Sequence, residues 1–181
     1  MYKRQDLRQF TSGTKRISLF ASDVGITSDM VHVDVKINVQ ELIEGYFQKY
    51  LHRASQSTGM NFYLDSYKNG SSLRSIENSI KNSNEAHIYN YYMEYLGRAP
   101  DQAGMVYYRD TILGAGQTTL AQVEDAIKNS PEAQIRSIYL DVLNREPDAG
   151  GMAFYLGKHE SGEMTIPDIR ADIEANAASG N

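Results

Sequence analysis

The chain has no cysteine, no tryptophan and only 4 prolines in 181 residues. Without cysteine there is no disulfide, no thiol nucleophile and no cysteine-ligated zinc or iron–sulfur centre. No apolar run approaches the ~18 residues that a spanning helix needs, and no signal-peptide apolar segment is visible, so membrane insertion is not expected. Positive charge is scarce as well. A net charge of −5 and a pI near 5.4 argue against nucleic acid as a partner. Signatures of catalysis are equally missing. The four histidines, His32, His52, His87 and His159, are scattered without zinc spacing. No nucleophile elbow, phosphate-binding glycine loop or EF-hand loop occurs. No catalytic residue, metal or cofactor is assigned, and the chain is not expected to be an enzyme.

What the chain does contain is a repeat, the feature to establish before any local reading. The segments 50–63, 95–108 and 142–155 align on Gly59, Gly104 and Gly151, at offsets of 45 and 47 residues. Leu, Arg, Gly, Met and a closing Tyr recur in all three. A second block follows each copy: Leu73, Ile76 and Ile80, then Leu120, Val123 and Ile127, then Ile166, Ile169 and Ile173. The first two copies then close on Ser83-x-Glu85-Ala86 and Ser130-x-Glu132-Ala133, and the third ends in Asn176-Ala177-Ala178.

Spacing and punctuation give the secondary structure. Apolar residues at i, i+3 and i+7 in the second block mark one stripe of a helix. Thr119-x-x-Gln122 and Thr165-x-x-Asp168 read as capping boxes, the latter with a short acid. Ser130-Pro131-Glu132 supplies a cap, a first-turn proline and an acid at the positive helix end. The predicted helices are 40–52, 57–69, 72–82, 85–97, 101–113, 119–129, 131–144, 148–160 and 166–178. Before them, Val31, Val33, Val35, Ile37 and Val39 alternate with polar residues, as in a strand, and 16–20 is a shorter candidate partner.

The fold expected is therefore mainly α: three repeated three-helix units packed as a helical array or bundle, with a short N-terminal β-hairpin or β-arm. The divisions are 1–38, 39–83, 84–130 and 131–181, carrying net charges of +2, +1, −3 and −5. That gradient fits either an unevenly charged solvated surface or head-to-tail self-association. A two-stranded arm is marginal alone, so it is expected to pack on the helices or pair with another chain.

The recurring polar residues read as structural. Asp101 and Asp148 are placed to cap the second helix of their copies, and Arg98 and Arg145 to reach that carboxylate or the preceding helix's last carbonyls. Gly104 and Gly151 fall at the third helical position, where a missing Cβ admits a neighbour. The first copy keeps Arg53 and Gly59 but has Gln56 in place of the acid, which favours a cap over a charge-dependent site. The aromatic pairs Phe62/Tyr63, Tyr107/Tyr108 and Phe154/Tyr155 read as core plus a half-exposed ring. Tyr89, Tyr91 and Tyr92 are too dense to share one core face, so they join Val31, Val33 and Val35 as the candidate interaction surface.

At 95–108, followed by the stripe and Ser130-Pro131-Glu132-Ala133, the chain resembles the domain-of-unknown-function family numbered 4214. The copy at 142–155 matches equally well. More distantly it is similar to the helical domain of phycobilisome linker proteins. The likeness covers about 42–178 and departs from the family where tryptophan is usual in the aromatic pair. It implies a module of bacterial secreted or cell-surface proteins or of phage structural proteins, with no established activity. The opening Met1-Tyr2-Lys3-Arg4-Gln5 resembles the read-through peptide of sequencing adapters in metagenomic assemblies, so a native start is expected elsewhere. The function expected is non-catalytic protein–protein assembly or adhesion through a protein partner or self-association. The alternative is a carbohydrate-binding module whose exposed tyrosines take a glycan.

Overall fold

A computed structural model describes residues 38–116 and 118–179 with their side chains, and the backbone of strand segments nearer the N-terminus. These segments are β1 (Thr14–Leu19), β2 (Ser22–Asp23), β3 (Ile26–Thr27) and β4 (Val31–Lys36). β1 pairs antiparallel with β4, Thr14 facing Lys36 and Leu19 facing Val31, and β2 pairs with β3. The side chains of Val31, Val33 and Val35 lie outside the described residues, as does Ile37.

Helices joined by short turns follow: α1 (Val39–Leu51), α2 (Ser57–Lys68), α3 (Leu73–Lys81), α4 (Asn84–Tyr91), α5 (Gln102–Val106), α6 (Leu120–Lys128), α7 (Pro131–Leu143), α8 (Ala149–Glu160) and α9 (Ile166–Ala178). Val39 opens α1 rather than closing a strand. Asn38 ends the extended backbone there and its side chain accepts from Glu41 N at 3.3 Å, so the cap outweighs the alternating pattern. Two helices widen. α4 continues as a π-helical turn over Tyr92–Leu96, and α5 as another over Tyr107–Leu113. From Gly104 to Leu120 the chain is one residue longer than from Gly151 to Ile166. A π-helical stretch absorbs such an extra residue without breaking the helix.

The ends follow the punctuation. Ser83 and Ser130 each accept from the N–H three residues on, at 3.3 Å, and Pro131 sits in the first turn of α7. Both capping boxes form, Thr119 N donating to Gln122 at 3.0 Å and Thr165 N to Asp168 at 2.9 Å.

The chain divides into two compact units, 1–82 and 83–181. In the first, Val39, Ile43, Phe47 and Leu51 recur every fourth residue along α1 and are buried, as are Met60, Ile76 and Ile80. In the second, Ile88, Tyr92 and Leu96 pack with Val123, Ile127 and Ala133. A further cluster joins Ile135, Ile138 and Tyr139 to Tyr155, Ile169 and Ile173. Each stripe that the sequence marks thus ends in a core, which is what holds short helices together in water.

The first helix of each copy stops on a left-handed residue: His52 at φ 55°, Gly97 at 68° and Asn144 at 51°. That conformation turns the chain sharply into the repeat motif and strains any residue with a Cβ. Gly97 is fixed twice over, because a Cβ there would meet Arg136 Nε at 2.7 Å. Urea unfolding of His52→Gly is expected to show a gain of about 0.5–1 kcal/mol, and of Gly97→Ala a loss of about 1–2 kcal/mol. Equal effects at the two positions would show that the turn does not set these helix ends.

Candidate functional site

The repeat motif resolves into one arrangement around an aromatic ring that sits six residues before each arginine. The rings are Phe47, Tyr92 and Tyr139, all buried. Arg53 lies over the Phe47 ring at 5.4 Å, Arg98 over Tyr92 at 5.3 Å and Arg145 over Tyr139 at 5.4 Å. Each arginine also donates Nη1 to the next residue's carbonyl, at 3.0, 3.3 and 3.2 Å. On its other side the ring meets the motif glycine: Phe47 lies 3.2 Å from where a Gly59 Cβ would be, and the Tyr92 and Tyr139 hydroxyls lie closer still to Gly104 and Gly151. The second ring of each aromatic pair stands edge-on to it, Tyr63 at 5.8 Å, Tyr108 at 6.3 Å and Tyr155 at 6.1 Å. One ring is therefore held by a cation, a bare backbone and a second ring.

The caps complete the motif. Asp101 accepts from Gly104 N and Asp148 from Gly151 N, both at 2.7 Å. Gln56 makes no side-chain cap bond. The arginines do not all go where the sequence pattern sends them. Arg98 passes over Asp101 and grips Glu132 of α7, Nε to Oε1 at 2.6 Å and Nη2 to Oε2 at 2.9 Å. Arg145 does reach its neighbour Asp148, loosely, at 3.8 Å. The preceding helix's last carbonyls go instead to Arg136, which donates to Glu94 O at 3.0 Å and Tyr95 O at 3.3 Å.

The tyrosine surface also needs correction. Tyr92 is buried at 7% exposure, because it is the ring the motif is built around. Tyr89 and Tyr91 are half-buried. The open rings are the first members of the aromatic pairs: Phe62 at 64%, Tyr107 at 52% and Phe154 at 53% exposure. They occupy the same position in every copy, and the i, i+1 spacing explains it, since the second ring faces inward and leaves the first facing out. The 45 and 47 offsets apply equally to Phe47, Tyr92 and Tyr139, so an aromatic six residues before the arginine was the signal for the buried ring.

The acid and base groups are tied into structure. Tyr95 donates to Glu124 at 2.8 Å, which pushes its phenol up to about 12. Burial, aided by a 2.7 Å bond to Asp172, pushes Tyr155 up to about 12 as well. Asp148 is held below the usual carboxylate range, first by Gly151 N–H. An open groove of about 610 Å³ is lined by Lys128, Arg136, Leu140, Ile166 and Arg170 among others. Its guanidinium groups are matched by carboxylates, Arg136 by Glu146 and Arg170 by Asp141 at 2.7 Å. Among the described residues no three His, Asp or Glu side chains gather as a metal site, and no helix is long and apolar enough to cross a membrane.

Residues 72–137 match the family model described as Domain of unknown function (DUF4214). The match opens at Ser72, the cap of α3, and ends within α7, so its frame starts one helix before the 84–130 copy. No curated protein and no solved structure matches the chain.

Two outcomes check this arrangement. Gly104→Ala is expected to cost about 1–3 kcal/mol by driving a methyl into the Tyr92 hydroxyl. Tyr92→Phe should recover part of that loss in a double-mutant cycle read by urea unfolding. Additive effects would show that the ring and glycine do not meet. In alkali, Tyr155 is neutral in the fold at a pH where its unfolded counterpart ionises. Its contribution is full below about pH 10 and is lost as pH rises towards about 12. Stability should fall across that window, and less steeply in Tyr155→Phe.

Proposed function

We propose that the protein is a non-catalytic assembly or adhesion module, built of three copies of a three-helix unit behind an N-terminal β arm. Its setting would be a bacterial secreted or cell-surface protein or a phage structural protein, as the family resemblance implies. One observation carries the reading: an open aromatic ring recurs at the same position of every copy, at Phe62, Tyr107 and Phe154. Keeping a large ring in water in three successive copies, beside an inward-facing one that does the packing, suits a surface made to be covered. Tyr107 and Phe154 each stand edge-on to their inward partner, at 5.0 and 5.1 Å, which fixes the ring before any partner arrives.

The same rings support a second reading, a carbohydrate site, because an exposed aromatic face also stacks on sugar. The triple variant Phe62→Ser, Tyr107→Ser, Phe154→Ser separates fold from function. It should melt within a few degrees of the parent, since the rings lie outside the cores. The full-length parent should retain a protein partner in cross-linking that the triple variant loses. Binding of cell-wall or capsular sugars on a glycan array, lost in the same variant, would transfer the reading to carbohydrate. No ring-dependent binding of either kind would remove both.

A further inference from the structure

Arg98 and Arg145 are set identically and finished differently. α6 is 9 residues long, and the chain then turns through Asn129 and Ser130 into α7, which brings Glu132 onto the Arg98 guanidinium. α9 is 13 residues long and runs straight through Asn176, the residue aligned with Ser130. No carboxylate corresponding to Glu132 is therefore delivered to Arg145 among the described residues. Arg145 keeps its seat on Tyr139 at 5.4 Å, its side chain is 54% exposed, and among the described residues its ion pair is with Asp148 at 3.8 Å. A guanidinium fork held in place by a ring and a carbonyl, with its bidentate position open, is prepared to take a carboxylate at a helix start.

We propose that this open fork docks the start of α1 from a second copy of the chain, head to tail, in the place that the start of α7 takes on Arg98. The proposal deepens the assembly reading and rests on it. α1 begins as α7 does. Asn38 aligns with Ser130 and caps its helix through Glu41 N, leaving residues 40 and 41 exposed in the first turn. Gln40 aligns with Glu132 and offers its amide oxygen there as an acceptor without charge. Net charge favours the same orientation, since 1–38 and 39–83 carry +2 and +1 whereas 84–130 and 131–181 carry −3 and −5. Such a contact is heterologous and extends a row of copies rather than closing a pair.

Sedimentation equilibrium of the full chain over a concentration series tests it. The mass should rise with concentration, and Arg145→Gln, which keeps a stem over Tyr139, should weaken association about fivefold. Gln40→Glu restores the acid that α7 carries and should tighten association about fivefold, with the gain abolished in the Arg145→Gln, Gln40→Glu double variant. Thermal melts of the same variants keep loss of fold distinct from loss of contact. A monomer at every concentration in both parent and Gln40→Glu overturns the proposal. So does a Gln40→Glu gain that survives loss of Arg145. Either result leaves the assembly reading in place if ring-dependent partner capture persists, and loss of that capture alone leaves this contact in place.

Discussion

The structure turns on a buried aromatic ring that is gripped from three sides. Phe47, Tyr92 and Tyr139 each fill the space between a stacked arginine, a glycine backbone and an edge-on second ring. None of these contacts is strong by itself, since an exposed cation–ring contact contributes about 0.5–1 kcal/mol and a ring pair about 0.5–1.5 kcal/mol. Their effect is geometric. The arginine follows a left-handed turn, the glycine opens the next helix, and the second ring lies four residues beyond the glycine. One ring thereby fixes the angle between two helices, and the stripe helix closes the core beneath them.

Differences among the copies show which parts are structural. The first copy replaces the tyrosine with Phe47 and the capping acid with Gln56, yet keeps the arginine on the ring and the ring on the glycine. The hydroxyl and the carboxylate are thus refinements of a contact that survives without them. A second pairing varies in the same way. Tyr50 bonds Glu77 and Tyr95 bonds Glu124, at 2.7 and 2.8 Å. The third copy has Val142 and Arg170 at those places, and Arg170 turns to Asp141 at 2.7 Å instead. The polar groups of these pairings have structural partners, so they are occupied in holding the fold. What the packing leaves open is the outward ring, the outer fork of Arg145 and the exposed helix ends.

Much of the site was legible from the sequence, and its omissions have physical causes. Gly59, Gly104 and Gly151, with Asp101 and Asp148, stood out because a cap and a close approach act within a few residues, where spacing is informative. The Arg98–Glu132 grip was not visible, because it joins residues 34 positions apart whose meeting depends on how α6 turns into α7. Tyr92 was misjudged for a related reason. A crowded run of tyrosines says that some must face water but not which, and the choice is made by the rings and helices that meet it.

By itself the sequence determined the helical class, the three-copy pattern, the caps and the apolar stripes. These arise from contacts within a turn or two of helix, or from a periodicity that repetition makes unmistakable. Only the tertiary structure decided which ring is buried and which is open, where each arginine spends its charge, and that Arg145 keeps its outer fork exposed. Those outcomes depend on helices brought together over 15 to 40 residues of chain, a range at which spacing no longer constrains geometry. The absent tryptophan and cysteine take on meaning in that light. Tyrosine and phenylalanine supply both the buried and the open rings, and packing around them, with no covalent bridge, holds the helices in register.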